Sequence, residues 1–132
     1  MKSRVLIVDD SRLFLEAARA LLEREGVRVV GVAGTSAQAL RQAQELRPDV
    51  VLVDIVLGDE SGFDVARRLG EHSDGADLAI ILMSSYSEAD FADLIAASPA
   101  AGFLPKPELS AGAIQRIVDG SPPGGQPGAR VR

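Results

Sequence analysis

The sequence predicts an α/β domain in which five parallel strands form one doubly wound sheet between two layers of helices. Short β-branched apolar runs alternate with longer helical patterns along residues 1–120. Three of those runs, at 4–8 (after its leading arginine), 50–53 and 78–83, are apolar without a break, which is how a strand covered by helices on both faces reads. A strict strand–helix alternation also forces crossover connections, and these are right-handed almost without exception.

The first strand is RVLIV at 4–8. After Asp9-Asp10 an amphipathic helix runs from Ser11 to Glu25, with Leu13, Phe14, Ala17, Ala18, Leu21 and Leu22 as its apolar stripe. It stops before Gly26, a residue suited to the left-handed position that closes helices. VRVVGVA at 27–33 is the second strand. Thr35-Ser36-Ala37-Gln38 has the pattern of a capping box, opening a helix that buries Ala39, Leu40, Ala43 and Leu46 before Pro48. VVLV at 50–53 is the third strand, and the third helix spans Gly62 to Gly70 on Phe63, Val65, Ala66 and Leu69. LAIILM at 78–83 is the fourth strand, followed by a helix from Ser87 towards Pro99 with Phe91, Leu94 and Ile95 inward. AGFLP at 101–105 is the fifth strand, and Leu109 to Asp119 the fifth helix, on Ala113, Ile114, Ile117 and Val118. Gly112 within it costs up to about 1 kcal/mol relative to alanine. The expected strand order is 2-1-3-4-5, the flavodoxin-like arrangement. Residues 1–120 form the domain, and 121–132, SPPGGQPGARVR, read as a disordered Pro/Gly-rich tail or the stump of a linker.

At 132 residues, 46% hydrophobic and 25% charged, the chain has the composition of one globular domain with one core. It buries roughly two-thirds of its unfolded surface and needs no staple. Cysteine is absent, which removes zinc-thiolate, iron–sulfur and cysteine-nucleophile chemistry. The single histidine, His72, lies in a polar EHSDG loop and reads as a solvated surface residue. A net charge of −5 argues against direct nucleic-acid binding. The apolar runs are strand-sized, so no membrane span or secretory signal is expected, and the predicted location is cytoplasmic.

Open α/β sheets bind ligands where the strands end at their carboxyl termini. Here those ends are polar: Asp9-Asp10, Asp54, Ser84-Ser85 and Lys106. Taken singly, each has a bland explanation. Asp9 and Asp10 suit a helix N-terminus, Asp54 a turn, the serines a loop and Lys106 a surface. Together they put three carboxylates in one place, repelling by roughly 3 kcal/mol per pair at about 5 Å and an effective dielectric near 20. A hard divalent cation, Mg²⁺ above all, would neutralise such an all-oxygen set, with Lys106 adding one positive charge and one carboxylate left as a nucleophile towards phosphorus.

VLIVDD, VVLVD with Gly62 following, IILMSS and GFLPKP, in this order and spacing, resemble the receiver domain of two-component phosphorelay response regulators, in its single-domain, chemotaxis-type form. The resemblance spans residues 4–119. It implies that Asp54 is the phosphoacceptor, that Asp9, Asp10 and Asp54 hold Mg²⁺ with the backbone carbonyl of Val56, and that Lys106 pairs with the phosphoryl group. By the same resemblance Ser84 and Phe103 are switch residues, Val56 and Tyr86 occupy the positions that tune hydrolysis, and Lys106-Pro107 carries a cis peptide. Gly58 stands where many receivers have proline, which is expected to loosen the loop after Asp54.

The implied donor is a histidine kinase or a histidine phosphotransfer protein. The implied output is a protein contact through the fourth helix, fifth strand and fifth helix, with a downstream partner or as a homodimer, because no effector segment is expected after residue 120. The chain is expected to catalyse only its own modification, with no turnover of an external substrate. A non-phosphorylated pseudo-receiver, acting as a constitutive binding module, is the alternative. The intact acid pair, acceptor and lysine argue against it. The phosphate loops of flavodoxins and P-loop NTPases and the Asp-x-Asp of dehalogenase-type phosphatases are missing.

Overall fold

The structure is a computed structural model and describes residues 3–72 and 78–120. The segment 121–132, expected to be a tail, lies outside the described residues. The elements are β1 (Arg4–Val8), α1 (Arg12–Arg24), β2 (Arg28–Ala33), α2 (Ser36–Leu46), β3 (Val50–Asp54), α3 (Gly62–Glu71), β4 (Ala79–Ser84), α4 (Ala92–Ala97), β5 (Gly102–Pro105) and α5 (Ala111–Val118). The strands pair in the order β2-β1-β3-β4-β5, as expected, and every pair in this sheet is parallel. Among the described residues no helix is long and apolar enough to cross a membrane.

Because side chains alternate along a strand, the three unbroken apolar strands feed two cores. Val5, Ile7, Val50, Leu52, Ile81 and Met83 join Ala18 and Leu22 of α1 and Ala113 and Ile114 of α5 on one face. Leu6, Val8, Val51, Val53, Ile80 and Leu82 join Ala39 of α2 and Val65, Ala66 and Leu69 of α3 on the other. That division explains why, after Arg4 at the head of β1, these strands show no polar residue before their last positions.

Helix boundaries follow local chemistry. Ser11 caps α1, its hydroxyl accepting from the Phe14 amide. The stripe that α1 buries is Phe14, Leu15, Ala18, Leu21 and Leu22. Leu13 is 81% exposed, contrary to expectation, because a 3.6-residue period cannot serve both the 13–17 and the 14–18 diagonals. The predicted capping box opens α2: Thr35 accepts from the Gln38 amide, and Gln38 Oε1 accepts from Gly34, one residue ahead of the cap. The fourth helix is shorter than its pattern suggests, with a 3-10 turn at Glu88–Phe91 before six α-helical residues. Only Phe91 and Ile95 of this stretch are half-buried, too little apolar surface to sustain more turns. α5 begins after Ser110, which caps it, while Glu25 accepts from the Ala111 amide at 2.7 Å.

One expectation is corrected. Among the described residues there are no cis peptide bonds, so Lys106–Pro107 is trans. Leu109 N–H donates to Lys106 O at 3.2 Å, closing a turn with Pro107 at its second position, where a trans proline's fixed φ belongs. Val56–Leu57 pairs antiparallel with Glu60–Ser61, leaving a two-residue hairpin turn in which Gly58 takes φ +59, the geometry that glycine makes accessible.

This hairpin, unforeseen from the sequence, is tied down at both ends. Glu60 accepts from the Ser36 amide at 2.8 Å and from its hydroxyl at 2.6 Å, placing a carboxylate at the positive end of α2. At Gly62 the backbones approach so closely that a Cβ would overlap Asp54 O and stand 2.6 Å from Ile55 Cα. Gly62→Ala therefore lowers stability by about 1–3 kcal/mol in denaturant unfolding. The Ser36 hydrogen bonds hold the Glu60 carboxyl below its ordinary pKa. The unfolded chain thus binds more protons in acid, and the stabilisation is present above the ordinary glutamate value and lost as pH falls through the depressed one. In urea titrations the gap between the parent and Glu60→Gln narrows as pH falls from about 7 towards 3.

Candidate functional site

The acidic residues meet because β1 and β3 are adjacent and in register. Val8 pairs with Val53, so Asp9 and Asp54 each stand one step beyond a paired valine. Their parity matches Ile7 and Leu52, which face α1 and α5. Asp9 is completely buried and Asp54 is 7% exposed, while Asp10 is exposed. One carboxylate oxygen from each of the three lies within 4.8 Å of the others.

Lys106 reaches this cluster from the turn after β5. Its Nζ stands 2.6 Å from Asp9 Oδ2 and 3.0 Å from Asp54 Oδ2, and it donates a hydrogen bond to the latter. The other Asp54 oxygen, Oδ1, accepts from the Val56 amide at 3.0 Å. Asp9 Oδ1 accepts from the Ser11 amide at 2.8 Å. Asp9 Oδ2 faces the Lys106 ammonium without the angular geometry of a hydrogen bond.

Burial dominates the electrostatics of Asp54 and raises its carboxyl pKa, with the charge of Asp9 adding to the rise; the Val56 amide and Lys106 act against it. For Lys106, burial alone would lower the ammonium pKa, but the two carboxylates outweigh it and hold the pKa above the usual lysine value. Three carboxylates against one ammonium leave two negative charges uncompensated. Their repulsion is worth roughly 3 kcal/mol per pair at an effective dielectric near 20, and less for the exposed Asp10.

That residual charge, the all-oxygen donor set and the poorly partnered buried Asp9 Oδ2 fit a small divalent cation. A cleft of about 440 Å³ bounded by Arg12, Leu15, Val32 and Gly34 opens onto Asp9 and Asp10.

Ser84 follows Met83, the register partner of Asp54, which places it beside Asp54 at the end of β4. It is buried, and its hydroxyl accepts from the Tyr86 amide at 2.8 Å. Tyr86 and Val56 are exposed, at 60% and 47%, and neither offers a carboxylate or amide side chain at the mouth of the site. Phe103 is half-buried against the α2/α3 core face. His72 is exposed at the end of α3, its Nδ1 2.7 Å from Arg68 O, well outside the cluster.

Sequence reasoning missed two supporting groups. Phe14, expected only as part of the stripe of α1, lies against Lys106, and Glu60 anchors the hairpin after Asp54. An apolar helix residue and a loop acid look the same in sequence whether or not they touch a site.

Comparison with known proteins agrees with the geometry. Residues 5–118 match the family model described as the response regulator receiver domain. Response regulator GacA of Pseudomonas viridiflava is 32% identical over 115 residues, 86% of this chain and 53% of that protein; the chain spans about half the length, or less, of the curated relatives first matched. The signal receiver domain of the putative response regulator NarL from Mycobacterium tuberculosis superposes with a TM-score of 0.77 at 30% identity, covering 89% of this chain and 94% of that one. A response regulator from Burkholderia pseudomallei, crystallised with a phosphorylated aspartic acid, calcium ion and citrate, superposes with a TM-score of 0.74 at 25% identity, covering 89% and 66%. A parallel sheet of order 2-1-3-4-5 with an acid triad and a lysine at its carboxyl edge, matched over almost its whole length, makes this chain a member of the response regulator receiver domains of two-component systems.

Proposed function

We propose that Asp54 accepts a phosphoryl group from a phosphohistidine, presented by a histidine kinase or histidine phosphotransfer protein, and that the modification switches a protein-binding surface. The observation that carries this is Lys106 Nζ held between Asp9 and Asp54 with Asp10 beside them. Asp54 presents a carboxylate that attacks phosphorus in line; the new P–O bond forms as the P–N bond to the donor imidazole breaks. Asp9, Asp10, Asp54 and the Val56 carbonyl would hold Mg²⁺, which when bound supplies charge neutralisation of the phosphoryl oxygens and a template for the in-line geometry. Lys106 stabilises the same oxygens from the β5 side, and the Val56 amide fixes the orientation of the Asp54 carboxylate. The Burkholderia relative, which carries a phosphorylated aspartic acid together with a divalent ion, supports this chemistry.

The Ser84 hydroxyl already accepts from the Tyr86 amide, so its own hydrogen is free for the phosphoryl group. A charge-assisted bond of this kind is worth about 1.5–3 kcal/mol, a shift of roughly 10- to 150-fold in a two-state equilibrium. Drawing Ser84 inward moves the segment before α4, and Phe103 turns into the space released. The surface altered is that of α4, β5 and α5, where Leu94 and Val118 are exposed. A protein partner, or a second copy of the chain, reads that surface.

Intact mass after incubation with acetyl phosphate or phosphoramidate and Mg²⁺ tests the acceptor. The parent gains one phosphoryl group and Asp54→Asn gains none; gain in both, or in neither, overturns the reading, and the latter restores the pseudo-receiver. Because Val56 and Tyr86 offer no group to orient an attacking water, the phosphorylated chain hydrolyses slowly, with a half-life of minutes or longer. Val56→Asn, which places an amide there, shortens it severalfold; a parent half-life of seconds contradicts the assignment.

A further inference from the structure

Lys106 has a neighbour that the acid cluster does not account for. Its Nζ stands 4.4 Å from the centroid of the Phe14 ring, within the range at which an ammonium is attracted to the negative face of an aromatic ring. The ring is itself held in place. Phe14 is half-buried, packs against the α1/α5 core face, and donates its amide to the Ser11 hydroxyl at 3.2 Å. Ser11 donates its own amide to Asp9 Oδ1 at 2.8 Å, and Asp9 Oδ2 faces Lys106 at 2.6 Å. The contacts close a circuit from Asp9 through Ser11 and Phe14 to Lys106 and back, joining the first turn of α1 to the turn after β5.

We infer that Phe14 is a positioning residue for phosphoryl transfer, holding the Lys106 ammonium over Asp54 through the face of its ring. The inference rests on the reading of Asp54 as phosphoacceptor. Lysine is a point charge on a flexible four-carbon stem, and neither carboxylate that holds it is a constant partner: Asp54 would gain a phosphoryl group, and Asp9 is one of the residues that would hold a cation. The ring quadrupole changes with neither event. Phe14 therefore supplies the constant part of the ammonium's position, and an aliphatic side chain of similar size would fill the space without attracting the charge.

The test compares Phe14→Leu, which removes the ring, with Phe14→Tyr, which keeps it. The chain has only two lysines, Lys2 and Lys106, so lysine-selective ¹³Cε labelling gives two resolvable NMR signals. In the metal-free protein the ring current displaces the Lys106 ε-methylene protons upfield in the parent and in Phe14→Tyr, and Phe14→Leu returns them downfield. With phosphoramidate and saturating Mg²⁺, Phe14→Leu is phosphorylated about two- to fivefold more slowly at unchanged Mg²⁺ half-saturation, and Phe14→Tyr recovers the parent rate. A parent signal without the upfield shift, a Phe14→Leu rate equal to the parent's, or a Phe14→Tyr defect as large as that of Phe14→Leu overturns the inference. A parent that takes no phosphoryl group defeats the acceptor reading instead, and the ring-current comparison then decides by itself whether Phe14 holds the ammonium.

Discussion

The carboxyl edge of the sheet is organised around the crowding of three carboxylates about one ammonium. Desolvation makes the buried charges expensive and their repulsion strong, so each neighbouring group is placed to neutralise, orient or shield them. Lys106 bridges Asp9 and Asp54, the Ser11 and Val56 amides take the remaining oxygens of the same two carboxylates, and the Phe14 ring covers the ammonium. The balance is still negative, which fits the set to a small divalent cation. Apolar residues at these positions would be cheaper for stability alone.

The sheet makes that crowding possible by register and parity. Parallel pairing of β1 with β3 brings the residues after Val8 and Val53 side by side, and alternation aims both towards α1 and α5. Pairing of Asp54 with Met83 then sets Ser84 next to Asp54. The two buried cores resist displacement of these strands because a slip of one residue would turn every side chain to the opposite face. The loops beyond them can change shape at far lower cost.

Asp54 also depends on the segment that leaves β3. The hairpin at 56–61 is anchored by Glu60 on the start of α2, and Gly62 lets the chain return against the backbone of Asp54 and Ile55. Glycine is used here for its missing side chain, and at Gly58 for its positive φ. A segment that carries the Val56 amide to Asp54 is thereby held at both ends, with Leu57 between them buried in the α2/α3 core.

By itself the sequence determined the fold class, the strand order and the polar positions at the strand ends, because these depend on local periodicity, on the handedness of crossovers and on where apolar runs stop. Asp9, Asp10, Asp54, Ser84 and Lys106 were legible for that reason, as were the caps at Ser11 and Thr35. Tertiary structure alone decided which diagonal of α1 faces the core, leaving Leu13 in solvent, and how far α4 extends. It also decided that Gly58 sits in a two-residue hairpin turn, that Lys106–Pro107 is trans, that Glu60 reaches Ser36 and that Phe14 covers Lys106. Each of these turns on contacts between residues distant in the chain or on space available after packing, and a pattern read along one strand or helix carries no record of what lies across from it.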